Sequence, residues 1–86
     1  MSINYFGKKV REARKNTNHT LMTMATAMGT TPGFLSAIET GRSKIPTDWV
    51  EKIYDFFKET KSPLDLDELR NAADVLDIKK LLEKLN

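Results

Sequence analysis

The chain has no cysteine and a single histidine, His19. Without Cys there are no disulfides, no thiolate metal sites and no thiol nucleophile, a composition that suits a reducing cytoplasm. One His cannot build a His-rich zinc site, so no metal and no cofactor are expected. Long apolar runs are missing too. None approaches the roughly 18 residues needed to cross a bilayer, so no membrane partner is expected. The opening residues, Met1 to Phe6, lack the charged-then-apolar layout of a signal peptide. Four Gly and three Pro are too few for a collagen-like or linker-rich chain. What remains, in 86 residues, is one small domain with at most a short appendage.

Charge of one sign is also scarce, with 14 basic and 12 acidic side chains and a net +2. Its distribution is uneven. Residues 1–46 hold seven basic and two acidic side chains, a balance of +5, whereas 47–86 hold seven and ten, a balance of −3. The basic half can steer a polyanion, while an ordinary solvated surface accounts for the same asymmetry.

The apolar spacing is helical from end to end, and no stretch alternates as a strand would. Phe6, Val10 and Ala13 share one face of a first helix, with Asn4 as its N-cap. The Asn16 to His19 stretch is a polar turn. Thr20 caps a second helix in which Leu21, Met24, Ala25 and Met28 share a face and Gly29 supplies the stop. Thr31 caps a third, Pro32 stands at its first position, Leu35 and Ile38 face inward, and Gly41 ends it. Arg42 to Pro46 is a basic connector. Thr47 caps a fourth helix with an apolar stripe of Trp49, Ile53, Phe56 and Phe57. A boundary falls at Lys61-Ser62-Pro63. Beyond it Asp65 and Glu68 read as a capping box, and Leu66, Leu69, Ala73 and Leu76 form an apolar face. At Asp77 the helix either continues or is broken and capped again, with Ile78, Leu81, Leu82 and Leu85 following.

The fold class expected is all-α: a compact helix-turn-helix bundle over residues 1–61, with one or two further helices in residues 62–86. Two short helices joined by Gly29-Thr30-Thr31 form its centre. A tight turn of this kind holds the second helix at a steep angle, so that its N-terminal end can enter a DNA major groove.

From Phe6 to Pro46 the chain resembles the helix-turn-helix domain of the lambdoid phage repressor and Cro family, also called the XRE family. Phe6-Gly7-Lys8-Lys9-Val10-Arg11-Glu12-Ala13-Arg14 is similar to that family's first helix. Thr20 to Gly29 resembles its second helix and turn. Thr31-Pro32-Gly33-Phe34-Leu35-Ser36-Ala37-Ile38-Glu39-Thr40-Gly41 resembles its recognition helix, and Arg42 to Pro46 the basic loop that follows. Residues 63–86 have no counterpart.

The resemblance implies a repressor-like transcriptional regulator that binds double-stranded DNA at a palindromic operator as a homodimer. It implies an interhelical ion pair between Arg14 and Glu39. It puts base-reading positions on Pro32, Gly33, Ser36 and Ala37, and Thr31 is a further candidate for base or groove contact. Phosphate contacts fall on Thr20, Thr40, Arg42, Ser43 and Lys44, with Lys8, Lys9, Arg11 and Lys15 as additional basic candidates. Two departures stand out. The base-reading positions lack the Gln, Arg, Lys or Asn that make bidentate contacts, so direct readout should be sparse and more of the specificity should come from DNA shape, from Thr31 or from loop residues. Leu21 stands where the family often has a phosphate-reaching Gln, and reads as core.

Other residues have plainer readings. Phe34 packs, Met22, Met24 and Met28 fill core, and His19 is a surface or capping residue. Asp65, Asp67 and Glu68 cap a helix rather than hold a cation, since no EF-hand glycine or distal Glu follows. The C-terminal leucines, Leu66, Leu69, Leu76, Leu81, Leu82 and Leu85, need a surface to bury against. A homodimer through residues 64–85 is the expectation, because small chains gain from self-association and a dimer places two recognition helices about one DNA turn apart. The alternative is an antitoxin-type or other protein-interaction module whose tail binds a partner protein. No enzyme is expected: there is no nucleophile–base pair and no glycine-rich phosphate loop.

Overall fold

The computed structural model describes residues 4–84, with the side chains of Asp77, Lys79, Lys80 and Lys84 excepted. Among these residues the chain is all helical: α1 (Tyr5–Asn16), α2 (Leu21–Met28), α3 (Pro32–Glu39), α4 (Thr47–Phe57) and α5 (Leu66–Lys84).

Most helix ends follow the expected capping chemistry. Asn4 Oδ1 accepts the Gly7 N–H at 2.7 Å and starts α1. At its far end the Thr17 hydroxyl donates to the Ala13 carbonyl at 2.8 Å, and Asn18 turns the chain at φ 60°, a conformation Asn tolerates. Thr20 and Thr23 cap α2 reciprocally: Thr20 Oγ1 accepts the Thr23 N–H at 3.0 Å, and Thr23 Oγ1 accepts the Thr20 N–H at 2.9 Å. Gly29 ends α2 in the left-handed region at φ 71°. Thr31 Oγ1 accepts the Phe34 N–H at 3.1 Å, with Pro32 in the first turn of α3.

Three local expectations are corrected. Thr47 is not a cap but the first helical residue of α4. Pro46 holds the cap position with extended backbone (ψ 142°), and no side chain caps it. Asp65 does cap α5, accepting the Glu68 N–H at 2.9 Å, but Glu68 does not complete the box. Its carboxylate accepts instead from the Tyr5 hydroxyl and lies 3.7 Å from Lys9 Nζ, tying α5 to α1. Met22 is exposed rather than core, because it lies about 100° around the helix from Leu21, at the edge of the buried face. Asp77 does not interrupt α5, which continues through it.

One core runs through all five helices. Phe6, Val10 and Ala13 of α1 meet Met24 and Ala25 of α2, Leu35 and Ile38 of α3, Val50, Ile53 and Phe57 of α4, and Leu69 and Ala73 of α5. Ile45, in the connector before α4, is buried as well. Full burial of side chains such as Phe6, Leu35 and Phe57 stabilises the fold by about 1.5–3 kcal/mol each. Leu21 and Met28 pack against this core, as does Phe34, whose ring lies 4.9 Å from that of Trp49 and so braces α3 on α4. The His19 ring stacks 5.1 Å from Phe56, with Nδ1 3.2 Å from Thr23 Oγ1.

The apolar face of α5 changes sides along its length. Leu69 and Ala73 are buried, with Leu66, Ala72 and Leu76 packed beside them. Val75, Ile78, Leu81 and Leu82 are exposed. At 100° per residue, the stripe through Ile78, Leu81 and Leu82 is centred nearly opposite the Leu69–Ala73 face. The first half of α5 therefore completes the core, and the second half turns its apolar side away from it.

Candidate nucleic-acid interface

The α2–α3 pair owes its geometry to small residues at two joints. Gly29 takes the left-handed turn, and the Thr30 N–H returns to the Ala25 carbonyl at 2.9 Å, satisfying the end of α2. The second joint is where α1 crosses α3. Gly7 lies against the backbone of Glu39, so close that a Cβ there would overlap the Glu39 carbonyl oxygen and sit 2.7 Å from its carbon.

The same glutamate makes the implied ion pair. Arg14 Nη2 donates to Glu39 Oε1 at 3.1 Å, with the two side chains only 12% and 6% exposed. Arg14 Nε and Glu39 Oε2 have no hydrogen-bond partner among the described residues, so the pair is held by one bond rather than a fork. Arg14 and Glu39, 25 positions apart, thus lock α1 to α3 from inside the domain.

With Leu35, Ile38 and Glu39 committed inward, the opposite side of α3 is open. Thr31, Pro32 and Gly33 are exposed at its N-terminal end, and Ser36, Ala37 and Thr40 are half-buried along it. The nearest atom to a Cβ built on Gly33 is Thr31 Oγ1, 4.0 Å away, so nothing crowds this face. Thr31 and Thr20 each accept a cap hydrogen bond; the Thr20 hydroxyl also donates to Thr23 Oγ1 at 3.3 Å, while both side chains are exposed. The helix is eight residues long, about 12 Å, comparable with the width of a major groove.

The loop after α3 folds back onto it. Gly41 turns at φ 77°, and the Arg42 and Ser43 N–H groups both reach the Ala37 carbonyl, at 2.9 and 3.2 Å. Arg42 then lays its guanidinium along the helix: Nε donates to Thr40 Oγ1 and Nη2 to Ser36 Oγ, each at 3.2 Å. Lys44 is exposed and makes no salt bridge among the described residues. Of the further basic candidates, Lys8, Arg11 and Lys15 share one exposed depression on α1 with Glu12. Lys9 points elsewhere, to Tyr5 and Glu68.

The C-terminal leucines divide into groups. Leu69, expected at a dimer or partner surface, is instead buried in its own core, because it faces α1 and α4. Leu66 and Leu76 pack half-buried against that core. Leu81 and Leu82 are exposed, and Leu85 lies outside the described residues. Val75 and Ile78 extend the exposed stripe toward a groove of about 670 Å³ lined by Asn4, Tyr5, Ala72 and Leu76 among others.

Sequence reasoning missed the Gly7–Glu39 contact and the folding back of Arg42. A glycine inside an otherwise helical pattern is a signal for the first. Only the turn geometry at Gly41 reveals the second. No group of metal-ligating side chains gathers among the described residues, and no helix there is long and apolar enough to cross a membrane. The chain matches no family model, no curated protein sequence and no solved structure.

Proposed function

We propose that the chain is a sequence-specific DNA-binding transcriptional regulator of the repressor type, acting in the cytoplasm by binding rather than catalysis. One observation carries this reading. A short helix, α3, presents an uncrowded outer face with its capped N-terminus exposed, while its inner face is locked to α1 and its end runs into the exposed cations Arg42 and Lys44. An uncrowded helix followed by cations suits a major groove flanked by phosphates. The resemblance to the lambdoid repressor and Cro family supports the same assignment of α2 and α3.

The regulator works as a homodimer on a palindromic operator. The second copy covers the Val75, Ile78, Leu81 and Leu82 stripe, which faces away from the protomer's own core and lies mostly beyond Leu76, the last residue packed on it. A single self-complementary patch is what a two-fold interface requires. The protomer measures 41 × 25 × 22 Å. Two such bodies side by side suit recognition helices roughly 34 Å apart, one turn of DNA.

Titrating a random-sequence duplex at several salt concentrations tests the reading. Binding should weaken steeply with salt, and Lys44→Ala should lower the slope by about one charge on every duplex alike. A protein that retards no duplex even at about 50 mM salt is not a DNA-binding regulator.

A further inference from the structure

We propose that Arg42 is the base-reading side chain of this domain, aimed by Ser36 and Thr40 at a guanine in the major groove. The inference rests on the DNA-binding reading above and goes beyond it, since the sequence puts Arg42 on a phosphate and, where it leaves specificity to the loop, names no residue or base.

The outward positions of α3 offer almost nothing that discriminates bases. Pro32, Gly33 and Ala37 have no side-chain donor or acceptor, and Ser36 has one hydroxyl. Bidentate recognition needs a planar fork, and Arg42 is the residue that supplies one on this surface. It follows α3 in sequence, but Gly41 and the bonds to the Ala37 carbonyl reverse the chain and return it to the helix.

Its guanidinium is held in a relay. Thr40 Oγ1 donates to the Ser36 carbonyl at 2.8 Å, which leaves its lone pairs facing Arg42 Nε at 3.2 Å. One turn back, Ser36 Oγ accepts from Nη2 at 3.2 Å. Two of the five guanidinium N–H groups are used, and three remain, both on Nη1 and one on Nη2. That free edge is the one that spans guanine O6 and N7. A guanidinium fork can also grip a phosphate; what favours a base is that Ser36 and Thr40 hold this one along the outer face of α3. The bare face of Gly33 and Ala37 serves the same end: a helix without long side chains can lie close to the base pairs, where an arginine stretched along it reaches their edges. Ser36 and Thr40 are thus positioning residues.

The test is selection of bound sequences from random duplexes with the full chain, wild type against Arg42→Lys, Ser36→Ala and Thr40→Val. Arg42→Lys keeps the charge and removes the fork. The wild type should select a G·C pair at one position of each half-site. Arg42→Lys should lose that preference by about tenfold or more, with an unchanged salt slope on random DNA. Ser36→Ala and Thr40→Val should each blur the same position and no other. If Arg42→Lys selects the wild-type sequence, and Arg42→Ala weakens all duplexes equally with a slope lower by about one charge, Arg42 is a phosphate contact and the inference fails while DNA binding stands. If the wild type binds no duplex, both fall together. Arg42 is exposed, so circular dichroism should show each Arg42 variant folded as the wild type is.

Discussion

Gly7 and Glu39 touch backbone to backbone where α1 crosses α3, with no room for a Cβ between them. The obstacle is a main-chain carbonyl, which cannot swing aside as a side chain can. Gly7→Ala should therefore force the helices apart and cost about 3 kcal/mol, the upper end for overpacking, despite alanine's better helix propensity. Chemical denaturation measures it. A stabilised Gly7→Ala variant would mean that the two helices do not meet there.

Arg14 reaches the same glutamate with its guanidinium, 3.1 Å away. Removing either partner leaves a buried charge unpaired, so Arg14→Ala and Glu39→Ala should each cost about 3–5 kcal/mol. Replacing both with apolar residues of similar size should cost much less. A double-mutant cycle reads the coupling, and a cycle that closes at zero would make the two charges independent.

Tyr5, Lys9 and Glu68 form an exposed latch between α1 and α5. The hydrogen bond to the Glu68 carboxylate, then desolvation and that carboxylate's charge, raises the Tyr5 hydroxyl above its ordinary 10.0. The Tyr5 oxygen and then Glu68 hold Lys9 above 10.5. Groups raised on folding stabilise the fold below their unfolded values and lose that contribution as pH rises through the folded ones. Stability should thus fall on the alkaline side of about pH 10, and Tyr5→Phe should fall less. Denaturation midpoints on both sides of that pH give the comparison. Equal losses in the two proteins would remove Tyr5 from the latch.

The proposed homodimer rests on the exposed stripe of α5. Ile78→Glu with Leu82→Glu should leave helicity and the core intact, since neither side chain packs on the core, and should convert a dimer to a monomer by light scattering. Operator affinity should drop sharply while weak binding to random DNA persists. A wild type that is already monomeric would assign the stripe to a different protein, as the antitoxin-type reading has it.

Much of this was legible in the residues. Capping signals at Asn4, Thr20, Thr31 and Asp65, and apolar spacing in α1 to α3, mark helix starts and inward faces because each depends on chemistry within a few positions. The Arg14–Glu39 pair came through resemblance, since two charges 25 positions apart carry no local signal. What escaped depends on tertiary placement. Leu69 and Leu82 sit in the same leucine-rich stretch, yet one is 2% exposed and the other 56%. The difference comes from which side of α5 meets α1 and α4. Likewise Glu68 looked like half of a capping box until Tyr5, 63 positions away, competed for its carboxylate.

The central claim is that α3 of two protomers reads two half-sites of DNA. Selecting bound sequences from random duplexes, then measuring the distance between recurring half-sites, tests it most directly. The expected result is an inverted repeat with centres about 10 base pairs, or one helical turn, apart, lost when Ser36 and Arg42 are replaced together. Enrichment of no sequence over the starting pool, at a salt concentration where the protein still binds DNA, would contradict it.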